Sequence, residues 1–116
     1  MSNPIKNSVQ LIGNIGKEPE FSTFDNGNKR LSFSLATNDY YTNSKGEKVK
    51  QTEWHNIIAW GKVADYMQKT VSKGQEIAIQ GKLTSRSYND KSGASRQITE
   101  IIVQDYYPIS RQNQGV

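Results

Sequence analysis

Lys48, Lys50, Trp54, Asn56 and Trp60 all fall on even-numbered positions of a stretch rich in β-branched and aromatic residues. Side chains alternate faces along a strand, and Thr52–Trp60 (Thr-Glu-Trp-His-Asn-Ile-Ile-Ala-Trp) has strand composition. One face then carries Lys48, Lys50, Thr52, Trp54, Asn56, Ile58 and Trp60. The other carries Val49, Gln51, Glu53, His55, Ile57 and Ala59. Both tryptophans of the chain thus share a face with two lysines and an asparagine. Flat rings interleaved with positive charge suit unpaired bases and their phosphates better than a dry core.

Other chemistries find less support. His55 is the only histidine and there is no cysteine. A catalytic histidine needs a nucleophile or metal companions, and none stands at local spacing, so His55 reads as a structural or interface residue. Metal-assisted phosphodiester cleavage needs clustered carboxylates, whereas the acids here are scattered and mostly sit beside lysines. Gly13 and Gly16 are bend residues and not a dinucleotide fingerprint, because the third glycine and the helix are missing. The expectation is a non-enzymatic protein with no metal and no cofactor.

The elements that position the aromatic face follow from the pattern along the chain. Asn7–Asn14 reads as a first strand, with a bend at Gly13, Gly16 and Pro19 and a short continuation over Glu20–Phe24. Asn26-Gly27 signals a hairpin of type I′. Leu31, Phe33 and Leu35 then alternate against Arg30, Ser32 and Ser34, the pattern of a half-buried strand. Asn38–Gly46 reads as a long polar tip carrying Tyr40 and Tyr41. After the tryptophan strand the period changes: Val63, Ala64, Tyr66, Met67, Thr70 and Val71 form one helical stripe within Lys62–Ser72, with Gly74 as the stop. Period two returns from Gln75, with Ile77, Ile79, Gly81 and Leu83 inward and Lys82, Arg86 and Tyr88 outward. Lys82, Arg86, Lys91 and Arg96 surround a single acid, Asp90, which suggests an electrostatic groove. Arg96–Gln104 is the last strand.

Three strands, a short helix and two strands make the order of the oligonucleotide-binding (OB) barrel, an all-β five-stranded Greek-key fold with its helix between strands three and four. A length of 116 residues allows one domain. Residues 1–105 are assigned to the barrel and 106–116 to a flexible exit segment. A hydrophobic fraction of 34% suits a small barrel with a wet surface better than a helical bundle. The charge of +4 favours a polyanion partner only weakly. No apolar leader or membrane-length run is evident, so a cytoplasmic protein is expected.

Several fragments in one colinear order give a more specific reading. They are Val9-Gln-Leu-Ile-Gly-Asn-Ile-Gly-Lys-Glu-Pro-Glu20, Phe33-Ser-Leu-Ala-Thr37, Thr52-Glu-Trp-His55, Trp60-Gly-Lys62, Lys73-Gly74, Gly81-Lys-Leu-Thr-Ser-Arg86 and Thr99-Glu-Ile-Ile-Val103. Together they resemble bacterial single-stranded DNA-binding proteins over roughly residues 5–104. The resemblance implies base stacking by Trp54, Trp60, Tyr88 and Tyr41 or its neighbour Tyr40. It implies positive charge beside the DNA at Lys62, Lys73, Arg86 and Arg96, and a subunit contact at His55. It also implies a homotetramer associated with the bacterial nucleoid, serving replication, recombination and repair. Members of the family usually continue into a flexible linker and an acidic tip that recruits partners. Neither occurs up to Val116, so a short form is expected, with recruitment of other proteins in doubt. The alternative is a replication-restart adaptor of the primosomal protein N type, which shares the barrel and docks a helicase.

Overall fold

A computed structural model describes residues 6–110 of the chain. Its elements in order are β1 (Val9–Ile15), β2 (Glu20–Thr23), β3 (Lys29–Thr42), β4 (Lys48–Trp60), α1 (Gly61–Thr70), β5 (Glu76–Asn89) and β6 (Ser95–Pro108). The sheet order is β1-β5-β6-β4-β3-β2, and β1 also pairs with β3. That extra pairing, Asn14↔Ala36 and Ile15↔Leu35, closes the sheet into a barrel of five strands, with β2 added against β3. All pairings are antiparallel except β4–β6, which is parallel over Asn56↔Glu100 to Ile58↔Ile102. The expected OB barrel is therefore present, with α1 between its third and fourth strands.

The barrel is filled from every wall. Ile15, Leu31, Leu35, Ile57, Ala59, Ile77, Ile79, Ile101 and Val103 are buried together. Helix α1 lays Ala64 and Met67 across one end. Alternation works here because each strand has one face in the core and one in water.

Several features differ from the sequence expectation. The helix stops at Thr70, before Gly74: Val71 is already extended and its side chain is buried in the core. Tyr66 is exposed and does not pack with the helical stripe, whereas Thr70 reaches the Tyr106 hydroxyl at 2.6 Å. Leu83 is exposed although it keeps the period of Ile77 and Ile79, because the β5–β6 hairpin outruns the barrel interior past the register shift at Gln80/Gly81. Strand β6 runs to Pro108, and Ser110 is tied to Gln75 and Glu76, so residues 106–110 extend the barrel edge where an exit segment was expected. Residues 111–116 of that segment lie outside the described part.

The hairpin turns share one design. Gly27, Gly46 and Gly93 sit at φ of 87, 80 and 84°, and no non-glycine residue has positive φ among the described residues. Asn26-Gly27 therefore does not form the type I′ turn, which needs two residues at positive φ. In each case a three-residue loop ends on a left-handed glycine, with backbone bonds such as Gly93 N–H to Asp90 O at 3.0 Å and Asp90 N–H to Ala94 O at 3.0 Å. A side-chain oxygen of Asn26, Asn43 or Asp90 accepts backbone N–H groups inside its loop.

The acid in the last of these loops is held strongly. The Ser92 hydroxyl and the Arg96 guanidinium, with backbone N–H groups of Ala94 and Ser92, lower the Asp90 carboxyl from 3.8 to about 2. A lowered value means that this contribution to the loop is present above the ordinary carboxylate range and is lost as pH falls through about 2. A carboxyl-carbon NMR titration should place the Asp90 midpoint near 2, and Ser92→Ala should move it toward 3.8. A wild-type midpoint near 3.8 would contradict the loop geometry.

Candidate nucleic-acid interface

Strand β4 carries the tryptophans outward as its alternation requires. Trp54 is 61% exposed and Trp60 44%, while Ile57 and Ala59 between them are fully buried. Exposure of two indoles on one strand is costly for a surface with no partner. Cross-strand partners share a face, so the register extends the surface sideways. Trp54 sits opposite Ala36, Trp60 opposite Arg30 and Asn56 opposite Glu100. On the other side of β6, Thr84, Arg86 and Tyr88 face Glu100, Ile98 and Arg96. Two adjoining grooves run over this surface. One is lined by Gly16, Lys17, Ser34, Trp54, Asn56 and Ile98, the other by Trp60, Thr84 and Ile102, and Arg30, Ile58, Arg86 and Glu100 border both.

Each indole is positioned by a neighbour. A Cβ on Gly16 would collide with the Trp54 ring and come within 2.8 Å of the Ser34 hydroxyl, so the bare backbone lets the ring lie over the end of β1. The Gly16 N–H is also bonded to Ser34 O at 2.9 Å, which ties that corner to β3. Gly16→Val should displace the Trp54 indole, shifting its fluorescence and weakening nucleic-acid binding without unfolding the barrel. Unchanged emission and affinity would show that the ring does not depend on this glycine. Trp60 lies beside the Arg30 guanidinium, 5.9 Å from its ring centroid, and beside the Phe24 ring at 6.1 Å and a tilt of 31°.

The remaining predicted nucleic-acid contacts fall into four places. The β3–β4 hairpin forms a long two-stranded arm, because Asn38–Thr42 pair with Thr52–Lys48 as strand and do not form the expected loop. On that arm Tyr40, Lys48 and Lys50 share the Trp54 face, and the Lys48 ammonium lies 4.7 Å from the Tyr40 ring centroid. Tyr41 is on the opposite face with Val49. Tyr40 and Tyr41 therefore cannot serve the same surface of the arm. Tyr88 and Arg96 are cross-strand partners at the far end of β5–β6, and Lys82 lies outward opposite Ile102. Lys62 is separated from the indole grooves. It lines a third groove with Val63, Tyr66, Gln104 and Tyr106. Lys73 lies in the α1–β5 connection, next to Gly74, whose N–H bonds Ile15 O at 2.8 Å, one residue from Gly16.

His55 stands on the face opposite the tryptophans, half-buried, with a ring nitrogen 2.9 Å from the Thr37 hydroxyl. Among the described residues no three His, Asp or Glu side chains gather as ligands for an ion.

Among the predicted cations, Arg86 and Arg96 are each held by a carboxylate. Arg86 donates to Glu100 through Nε at 2.9 Å and through a terminal nitrogen at 3.4 Å, which raises its pKa further above the usual arginine value. Arg96 Nε donates to Asp90 at 2.9 Å. By contrast Lys17, Arg30, Lys48, Lys50 and Lys82 are not in salt bridges among the described residues. Arg30, Gly16, Phe24 and Glu100 are additions to the sequence reading. The outward face of Arg30 was legible from its alternation against Leu31, but its strand partner was not.

A closed five-stranded barrel with its helix at one end and an aromatic, basic outer face belongs to the class of OB folds. The chain matches the model of the single-strand binding protein family over residues 6–109 and belongs to that family. It is 44% identical to a single-stranded DNA-binding protein of Bacteroides thetaiotaomicron over 106 residues, 90% of this chain and 66% of the relative. It is 37% identical to single-stranded DNA-binding protein 1 of Chlorobaculum tepidum over 110 residues, 94% of this chain and 68% of the relative. The chain thus spans about two thirds of the length of the curated relatives it matches. Among solved structures, the Plasmodium falciparum SSB in complex with ssDNA has a TM-score of 0.84 and 31% identity, covering 95% of this chain and all of that one. A deletion mutant of the Thermus aquaticus single-stranded DNA binding protein shares the fold at a TM-score of 0.78 and 23% identity, covering 90% of this chain and 50% of that one.

Proposed function

We propose that the chain binds single-stranded DNA without sequence preference and without catalysis, protecting it in replication, recombination and repair. The observation that carries this is the pair of outward indoles on β4, flanked by Arg30, Lys48 and Lys50. Every base has a π-face, so stacking tolerates sequence, and cations along the path meet the phosphates. Trp54, Trp60, Tyr40 and Tyr88 are the proposed stacking groups. Lys48, Lys50, Lys82, Arg30 and Lys73 are the proposed phosphate contacts, and Asn56 is a polar contact between the two indoles. Arg86 and Arg96 act on the same path but through their carboxylate pairs. Tyr41, on the other face of the arm, and Lys62, on a separate groove, serve secondary contacts where the strand wraps beyond the main face.

Self-association into a homotetramer is part of the same reading. Ile12 and Tyr107 are strongly exposed, and with Ala78 between them they share the outer face of β1, β5 and β6, where Gln10, Gln80 and Asp105 line the same groove. His55 belongs to a second contact. A cytoplasmic, nucleoid-associated location goes with this function, and no cofactor is required.

The test is binding of oligo-dT and of duplex of equal length across a salt series. Oligo-dT should bind far more tightly, with log affinity falling against log salt by about 0.7 per phosphate contacted. Equal binding of duplex would overturn the reading. Weak oligo-dT binding with firm capture of a replication helicase would favour the restart adaptor. Cleavage of a labelled strand in Mg²⁺ would make the protein a nuclease.

A further inference from the structure

Glu100 is the buried one of three acids, with Glu18 and Glu20, that line a groove on the face proposed to receive a polyanion. It sits on β6 between Asn56 of β4 and Thr84 of β5, in the middle of the face, and its side chain is only 7% exposed. An unpaired buried carboxylate there would be costly by itself and would repel phosphate. Its partner is Arg86, which is 52% exposed and borders both grooves.

We propose that Glu100 is a positioning residue: it cancels the charge of Arg86 and fixes the guanidinium as a flat stacking surface for a base, not as a phosphate anchor. This rests on the single-strand binding reading above. The geometry favours it in three ways. Nε and one terminal nitrogen both point at the carboxylate, at 2.9 and 3.4 Å, so the guanidinium is held by one edge. A guanidinium held by its edge keeps its two faces, and bases stack on arginine planes as they do on aromatic rings. The pair has no net charge, so placing DNA there releases few counterions. Ile98, opposite Arg86 on β6, adds an apolar neighbour suited to a base and not to a phosphate.

The experiment measures oligo-dT affinity of the full chain across a salt series for the wild type, Arg86→Ala, Arg86→Lys and Glu100→Gln. Thermal melting checks that each variant is folded. Arg86→Ala removes the stack and also strips Glu100 of its partner, so it should bind more weakly by at least the about five- to hundredfold of one lost stacking contact. Arg86→Lys keeps the charge beside Glu100 without the plane, so it isolates the stack: it should bind about five- to a hundredfold more weakly than the wild type with the salt slope unchanged. Glu100→Gln releases the guanidinium to a phosphate, so its slope should steepen by about 0.7. A shallower slope in Arg86→Ala with recovery in Arg86→Lys would overturn the proposal in favour of a plain phosphate contact. Wild-type affinity and slope in Arg86→Ala would overturn it by placing Arg86 off the path. If Glu100→Gln fails to fold, the two arginine variants still decide. Failure of the wild type to bind oligo-dT would instead remove the functional reading on which the proposal stands.

Discussion

Trp54→Ala is expected to weaken oligo-dT binding by about 1–3 kcal/mol, the range for loss of one base–aromatic stack in proteins of this class. The melting temperature should scarcely move, because the indole is 61% exposed and is not part of the core cluster. Emptying the site over Gly16 removes a plane on which a base rests and leaves the strand-to-strand register intact. The salt slope should stay as in the wild type, since no charge is lost. Equilibrium binding at several salt concentrations, with a melting curve, checks all three. A loss of only a few tenths of a kcal/mol would remove Trp54 from the platform. A large drop in melting temperature would make it a structural residue.

Leu35→Ala should do the reverse. Leu35 is fully buried, and it pairs with Ile15 where β1 and β3 close the barrel. Truncating a buried leucine costs about 2–5 kcal/mol through lost transfer energy and the cavity left behind. That is a large share of the total stability of a small domain, typically about 5–15 kcal/mol. Urea unfolding should show the midpoint falling with little change in slope, while affinity measured well below the transition stays near the wild type. A cost below about 1 kcal/mol would mean that the closure at Ile15–Leu35 is not where the barrel is held. The two variants separate the face that binds from the core that positions it.

The legible parts of this chain are those where burial enforces a period. Leu31, Phe33 and Leu35 alternate against Arg30, Ser32 and Ser34 because one side meets the core, and the same rule placed Trp54 and Trp60 outward. The illegible parts are those set by partners far along the chain. Asn38–Thr42 is polar and turn-rich, yet it is strand because Lys48–Thr52 pairs with it. Only that pairing separates Tyr40 from Tyr41. Leu83 kept the inward period after the interior had ended. Tyr66 matched the helical stripe by spacing, but its bulk lies in water, where its ring meets Tyr106 edge-on at 6.4 Å.

The charges show the same limit. Arg86 and Arg96 read from sequence as positive charge beside the DNA path, and both are on the predicted face. Their carboxylate partners, Glu100 and Asp90, were in view in the sequence, but strand pairing and loop closure bring them to 2.9 Å. An acid inside the apolar run Ile98–Val103 was the available signal, because such a residue must be paired. The Lys62 groove was hidden for a similar reason: its walls come from α1 and β6.

The most direct test of the whole account is intrinsic fluorescence during titration with oligo-dT. Both tryptophans lie on the proposed platform. Stacked bases should quench most of the emission in a saturable way, with the Trp54→Ala and Trp60→Ala variants each losing part of the change. Saturable binding that leaves the emission of both indoles untouched would contradict it.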